Sequence, residues 1–193
     1  MRAFLISVAA FGFAGTALAD GFSYTHVDGG YTRTEIDDDA FGFDVDGDGF
    51  SVGGSLAATD NLHVFANFSD QDFDFDLNLQ TLSVGAGVNW PLHADLDIVG
   101  RLAYVKSDID GPFGIDISDD GYAAGAGLRG RVLQRMELEG GFVYVNYDEG
   151  GSETTPNFSA RFFLTDMFAV GASVALEDDA TTWGISGRFN FGI

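Results

Sequence analysis

Apolar residues alternate with small or polar residues in ten short segments of the chain. In the segment 81–90, Leu82, Val84 and Trp90 alternate with Thr, Ser, Gly and Asn. A period of two is typical of a β-strand whose two faces meet different surroundings. The second face of a soluble sheet would carry Lys and Glu, whereas here it carries Gly, Ser, Ala and Thr. The pattern therefore predicts a narrow barrel with an apolar face toward lipid and a crowded interior of small residues.

The alternation predicts ten strands joined by two kinds of connection. The predicted strands are 22–34, 48–58, 62–69, 79–90, 96–107, 121–132, 137–147, 157–164, 168–176 and 182–191. Short connections at 59–61, 91–95, 133–136 and 165–167 alternate with longer, acidic ones at 35–47, 70–78, 108–120, 148–156 and 177–181. We therefore predict an all-β fold: a ten-stranded antiparallel up-and-down transmembrane β-barrel.

The acidic residues are concentrated in the longer connections. Counting Asp48 with the first of them, these segments hold 22 of the 30 acidic residues and no Lys or Arg. The formal net charge of −21 argues against nucleic acid as a partner and against simple adhesion to anionic lipid. We interpret the acidic connections as the extracellular side of a bacterial outer membrane, which puts both termini in the periplasm.

The N-terminus has the pattern of a cleaved export signal. Arg2 precedes an apolar stretch over residues 3–15, and Ala17-Leu18-Ala19 forms an A-x-A cleavage site before Asp20. The apolar stretch is too short to span a membrane as a helix. We therefore predict a signal peptide at 1–19 and a barrel domain at 20–193. The chain has no cysteine, which excludes disulfides and thiolate metal sites.

Two stretches of the chain and its leader resemble a known class of proteins. The run 22–31 (FSYTHVDGGY) and the last strand 183–191 (WGISGRFNF) resemble the small Gram-negative outer-membrane β-barrels, including OmpX and the transmembrane domain of OmpA. More narrowly, the chain resembles a short acidic barrel family linked to quorum signalling in plant-associated proteobacteria. The resemblance implies insertion by the barrel-assembly machinery. That machinery reads a terminal aromatic residue, and this chain departs from the pattern by ending Phe191-Gly192-Ile193.

Several charged residues fall on the inward face of the predicted strands. They are His26, Asp28, Asp97, Arg101, Arg129, Arg131, Glu137, Glu139, Arg161 and Arg188. An isolated charge in a narrow lumen is costly, so these residues are expected to pair. They would form either a selectivity ring or proton path, or a structural filling of ion pairs and hydrogen bonds. We favour the filling because small barrels pack their interiors with side chains.

Two further groups of residues suggest surface chemistry. Arg33 and Lys106 lie on the lipid-facing side near the acidic connections, where they would contact lipopolysaccharide phosphates or pair with neighbouring acids. Asp44, Asp46 and Asp48 reproduce the opening D-x-D-x-D-G of a calcium loop. Position twelve of that loop is Ser55 instead of the bidentate Glu, so only weak calcium or magnesium binding is predicted, and no other cofactor.

The sequence lacks a catalytic constellation. Its three histidines, His26, His63 and His93, all fall away from the acidic end of the barrel, and no serine nucleophile elbow is present. We predict a monomeric, non-enzymatic barrel that serves surface interaction or envelope structure. The alternatives are a small cation-preferring pore and, less favoured, a lipid A-modifying enzyme. The expected partners are outer-membrane lipid and lipopolysaccharide.

Overall fold

The structure is a closed antiparallel barrel of ten strands. The computed structural model describes residues 22–36 and 45–191. Its strands are β1 His26–Ile36, β2 Val45–Ala57, β3 Leu62–Phe73, β4 Leu77–His93, β5 Leu96–Gly111, β6 Ile115–Leu133, β7 Met136–Tyr147, β8 Gly151–Phe163, β9 Phe168–Leu176 and β10 Ala180–Asn190. Each strand pairs with the next along the chain, and β1 pairs with β10 to close the barrel. The predicted fold class is confirmed. The predicted signal peptide lies outside the described residues.

The two ends of the barrel differ in their connections. At the end where β1 begins and β10 ends, called the terminal end, short turns join β2 to β3, β4 to β5, β6 to β7 and β8 to β9. At the opposite end, called the hairpin end, the connections include the turns Asp74–Asp76 and Pro112–Gly114. Most of the acidic residues lie at the hairpin end, as the sequence pattern predicts.

Several predicted strand boundaries are wrong at the hairpin end. The β5–β6 ladder continues to the pair of Gly111 and Ile115, so most of the predicted connection 108–120 is strand. The segments 70–78 and 148–156 are likewise mostly strand, and β2 begins at Val45 instead of residue 48. Backbone pairing between strands does not depend on side-chain polarity, so the ladder extends through acidic positions. The carboxylates therefore project from an extended sheet, with Asp110 directly opposite Asp116.

The outward face of the barrel is a continuous apolar surface. Leu102 is 66% exposed, Ile185 is 64% exposed and Trp90 is 70% exposed. Aromatic side chains lie close together on this face, as in the pairs Phe50–Phe68 and Tyr122–Tyr144, whose ring centroids are 6.2 Å apart in each case. An exposed apolar area of this extent is rare on soluble monomers. Among the described residues, no helix is long and apolar enough to cross a membrane.

The inward face divides into two sectors. The apolar sector comprises the inward residues Phe65, Ala103, Val105, Ala123, Val143, Val145 and Tyr147 of β3 and β5–β7. The polar sector comprises the inward residues Thr32, Ser51, Ser159, Gly171, Ser173, Gly184 and Ser186 of β1, β2 and β8–β10. At the hairpin end a second apolar cluster, built around Ile36, Phe73 and Leu79, lies on the β1–β5 side.

Candidate functional site: the barrel lumen

The charged residues predicted to face inward lie opposite one another on neighbouring strands. In one row, Asp97, Arg129 and Glu139 lie opposite each other on β5, β6 and β7. In a second row, Arg131, Glu137 and Arg161 do the same on β6, β7 and β8. We call the ten inward residues listed from the sequence the ion cluster. Their opposite signs alternate across the strands, which favours pairing.

Glu137 is the centre of the ion cluster. Arg129 donates to Glu137 Oε2 from Nε at 3.1 Å and also from Nη2. Arg161 Nη1 lies 3.9 Å from Glu137 Oε2, and Arg131 Nη2 lies 3.8 Å from Oε1. Arg129 and Glu137 are both almost fully buried. A buried carboxylate that faces three guanidinium groups is compensated by charge as well as by hydrogen bonds.

The remaining members of the ion cluster also have partners inside the barrel. Arg101 donates to Glu139 Oε1 at 3.4 Å. On the other side of the lumen, His26 Nε2 lies 3.2 Å from Asp28 Oδ1, and Arg188 Nη2 lies 4.0 Å from the same oxygen. Asp28 and Arg188 are directly opposite each other across the β1–β10 seam. The lumen at the terminal end is thus filled by a network of charges.

Residues 22–25, called the N-terminal segment, occupy the lumen and are not part of β1. Tyr24 donates from its hydroxyl to Asp97 Oδ2 at 2.8 Å. Arg129 donates to the Ser23 carbonyl oxygen at 3.3 Å, and its guanidinium lies 4.7 Å from the centroid of the Phe22 ring. Since β1 and β6 lie on opposite sides of a ten-stranded ring, the segment crosses the terminal end of the barrel. The predicted strand at 22–34 is wrong over these four residues.

His63 is a lumen residue that the sequence analysis did not place in the ion cluster. Its ring stacks on Tyr24, with centroids 4.7 Å apart and planes 20° apart. Gly87 makes room for this ring, because a Cβ at residue 87 would overlap it.

The sequence contains a signal for the position of the N-terminal segment. Phe22 and Tyr24 share the inward parity of His26, and bulky aromatic residues are unusual there among Gly and Ser. That combination indicates a segment that fills the lumen.

A cavity of about 70 Å³ lies in the polar sector. Its wall includes Arg161 and Arg188 toward the terminal end, together with Asp28 and the hydroxyl groups of the sector. Ser173 and Ser186 face inward, toward Gly184 and Gly171, and are nevertheless exposed to solvent. The polar sector therefore contains open space lined by polar groups, whereas the apolar sector is closely packed.

The two cations predicted to meet lipopolysaccharide pair with neighbouring acids. Arg33 Nη2 donates to Asp46 Oδ2 at 2.7 Å, and Arg33 Nε donates to Glu35 Oε1 at 3.3 Å. Lys106 donates to both carboxylate oxygens of Asp108 at 2.6 Å. All three ion pairs are solvent-exposed, so each contributes little to stability. Contact of Arg33 and Lys106 with lipopolysaccharide stays a prediction.

The residues of the predicted calcium loop are divided by the start of β2. Asp44 lies outside the described residues, while Asp46 and Asp48 are strand residues that project from the outward face. Asp46 is paired with Arg33. Because alternate strand residues project in parallel, the two carboxylates do not converge as in a calcium loop. In the described part of the chain, no three His, Cys, Asp or Glu residues are grouped to hold a metal ion.

At the hairpin end of the polar sector, Glu177 follows directly after β9. Burial raises the pKa of Glu177 to about 8, and the nearby carboxylate of Glu153 acts in the same direction. Both effects favour the protonated form of Glu177 over the carboxylate.

Comparison with known proteins gives matches in fold only. No protein-family model matches the chain, and no curated protein matches it. An outer-membrane channel from Pseudomonas putida F1 is similar in structure, with a TM-score of 0.55 and 10% identity over 97% of this chain and 100% of that chain. The KdgM porin, solved in complex with disordered oligogalacturonate, has a TM-score of 0.50 and 11% identity over 87% of this chain and 99% of that chain. These likenesses show that the chain shares the barrel fold of outer-membrane proteins.

Proposed function

We propose that the chain is a non-enzymatic outer-membrane barrel whose lumen is closed at rest and whose acidic hairpins interact at the cell surface. The observation that supports this most is the filling of the terminal end. There the ion cluster and the N-terminal segment contact each other through Tyr24, Asp97 and Arg129. A narrow barrel filled in this way is suited to a structural or surface role.

The apolar outward face supports residence in a membrane, and the shared fold supports the outer membrane. Replacing Leu102 with Arg should reduce the free energy of unfolding in lipid vesicles by about 2–4 kcal/mol, because a cation near the bilayer midplane is costly. Asp110→Arg is a matched control on the same face of β5 beyond the apolar surface. Equal stability of the two variants would contradict the membrane assignment.

We further propose that the terminal end is periplasmic and the hairpin end extracellular. Short turns on one side and long acidic hairpins on the other support this orientation. A peptide tag inserted between Phe113 and Gly114 should be accessible to antibody on intact cells, whereas a tag inserted between Asp60 and Asn61 should require permeabilised cells. The reverse pattern would overturn the orientation.

Conductance measurements test the closed lumen directly. The unmodified protein should give no current steps in a planar bilayer at moderate voltage. Heat-modifiable migration on a gel, with and without boiling, would verify that the reconstituted protein is folded. Frequent steps from the unmodified protein would instead support the second candidate, a small pore. That candidate is favoured by the cavity in the polar sector and by the fold shared with a channel and a porin.

Three finer hypotheses are independent of the lumen. Weak calcium or magnesium binding by the acidic hairpins would protect them from protease when millimolar divalent ions are added. Lipid A modification, the least favoured function, would change the mass of extracted lipid A in expressing cells. The narrower resemblance to a barrel family linked to quorum signalling remains a prediction from the sequence.

A further inference from the structure

The polar sector has the features of a solute path, and the N-terminal segment has those of a plug that closes it. Within the polar sector, the inward Ser173 and Ser186 are solvent-exposed, and the cavity beside them reaches Arg161 and Arg188. These arginines belong to the ion cluster, and residues 22–25 cross the same terminal end of the barrel from β1 to Arg129 of β6. The lumen thus contains open space in the polar sector and is filled at the terminal end.

The block consists of bulky side chains held by contacts that can be exchanged for water. Phe22 lies under the guanidinium groups of Arg129 and Arg131, at 4.7 and 5.3 Å from its ring centroid. Tyr24 is held by its stacking on His63, by its hydrogen bond to Asp97 and by a hydrogen bond of 2.9 Å that Ser55 Oγ donates to its carbonyl oxygen. Ser23 is fully buried between them. These are cation–π, stacking and hydrogen-bond contacts, and the charged partners would be hydrated if the segment left.

The segment is also outside the strand ladder. The β1 ladder begins at His26, which pairs with Asn190 and Ser55. Residues 22–24 can therefore move out of the lumen without breaking a strand pair. The last anchor before the ladder is Thr25, which accepts a hydrogen bond from Phe191 N at 3.3 Å and from Ala57 N at 3.1 Å. Residues 22–24 are thus joined to the barrel wall at a fixed point.

The charged groups that line the cavity determine the class of solute it favours. Among the side chains that line the cavity, the titratable inward groups are Arg161, Arg188 and Asp28, and the rest are mainly hydroxyl, amide or small residues. Two guanidinium groups against one carboxylate favour an anion, and the hydroxyls can donate to it. The cavity of about 70 Å³ is large enough only for a small anion or a single carboxylate group with little water.

We propose that residues 22–24 are a removable gate and that their release opens a path for small anions through the polar sector. This proposal rests on the closed resting lumen proposed above and adds a second, conducting state. It reverses the ion preference of the small pore that the sequence suggests as an alternative, because most of the acidic residues lie at the hairpin end, whereas two arginines line the cavity.

The decisive variant keeps the backbone and removes the side chains of the gate. Phe22→Gly, Ser23→Gly and Tyr24→Gly combined should raise the frequency of current steps in a planar bilayer by at least about tenfold, since each lost aromatic contact favours the open state. The reversal potential in a KCl gradient should have the sign for chloride over potassium. Trp90→Ala is the matched control, because it removes one aromatic ring from the outward face and leaves the lumen unchanged.

A second change tests the solute class. Adding Arg188→Gln to the glycine variant should reduce the preference for chloride severalfold while current steps persist. A preference for potassium in the glycine variant, or an unchanged chloride preference after Arg188→Gln, would overturn the anion assignment.

The possible results of these measurements test the gate and the closed resting lumen separately. A folded, heat-modifiable glycine variant that stays silent overturns the gate and leaves the closed barrel standing. Steps of equal frequency from the unmodified protein overturn the closed resting state itself. If the glycine variant does not fold, the single substitution Phe22→Ala replaces it. Tyr24→Phe is then measured separately as the conservative variant, because it keeps the stack on His63.

The absence of cysteine allows an independent measurement of the gate. Ser23→Cys introduces the only thiol into the chain. In vesicles this thiol should react with a hydrophilic maleimide at least about tenfold more slowly than a Thr59→Cys control in an exposed turn, because residue 23 is fully buried. Equal rates would overturn the closed position of the segment.

Discussion

The apolar and polar sectors of the lumen differ in the volume of their side chains, although they are built on the same barrel. Val105, Val143 and Val145 are almost completely buried in the apolar sector, each at 1–2% exposure. At comparable inward positions of the polar sector, Ser173 and Ser186 are exposed to solvent. Both sectors have the same apolar outward face. Lipid therefore constrains the outward pattern everywhere, while the inward pattern is free to specify either a packed core or a wet cavity.

The residues that stabilise the barrel and the residues proposed to line a solute path therefore lie in different sectors. Apolar side chains that interdigitate across β3, β5, β6 and β7 exclude water as a soluble core does. The hydroxyl and glycine residues opposite them leave space and polar groups for a solute. The ion cluster joins the sectors, since Glu137 belongs to β7 and its neighbour Arg161 belongs to β8.

The largest effect is expected from placing a charge in the apolar sector. Val145→Asp should lower the free energy of unfolding by more than about 4 kcal/mol, because the carboxylate would be buried without a cation near it. Ser173→Asp, at an inward position of the polar sector, should cost less than about 1 kcal/mol, because water reaches that position. Urea unfolding in lipid vesicles measures both. Similar losses for the two variants would show that the sectors do not differ.

The next effect comes from the ion cluster at the boundary of the sectors. Glu137→Gln should cost about 3–5 kcal/mol, because it leaves Arg129, Arg131 and Arg161 without their shared carboxylate. Adding Arg129→Met should recover part of this loss by removing one of the unpaired charges. Strict additivity of the two substitutions in a double-mutant cycle would exclude direct coupling between residues 129 and 137.

The strands and their two faces were predictable because lipid imposes a strict alternation. The inward positions of Arg101, Arg129, Arg161 and Arg188 follow from that alternation, and the structure has all four inside the barrel. The pairing of Asp28 with Arg188 likewise follows from placing β1 beside β10 at similar depth. For these residues, parity and strand order were sufficient.

Other features depended on information that alternation does not contain. Acidic positions such as Asp108 and Asp110 suggested a loop, although backbone pairing continues through them to Gly111. The inward turn of residues 22–25 depends on contacts with β3, β5 and β6, which are distant in sequence. The partners of Glu137 depend on the stagger between strands, so the sequence could name the charged residues but not the centre of their network.

The smallest effect concerns Glu177, at the hairpin end of the polar sector. The pKa of this carboxyl is raised from its ordinary value of 4.5 to about 8 in the folded protein. Between those pH values the folded state holds a proton that the unfolded state has lost. The contribution of Glu177 to stability is therefore largest below about pH 4.5 and falls as pH rises toward 8. Glu177→Gln removes this dependence because the amide does not titrate.

The difference between wild type and Glu177→Gln should therefore grow with pH. Since one pKa unit corresponds to about 1.4 kcal/mol and partial solvation reduces the shift, we expect the variant to gain about 1–2 kcal/mol relative to wild type between pH 5 and pH 9. Glu149→Gln, an exposed carboxylate in another hairpin, is the control and should show no such gain. Unfolding in urea at several pH values measures all three proteins. A constant difference between wild type and Glu177→Gln would mean that Glu177 is ionised at neutral pH, and that the hairpin end of the polar sector is wetter than its burial indicates.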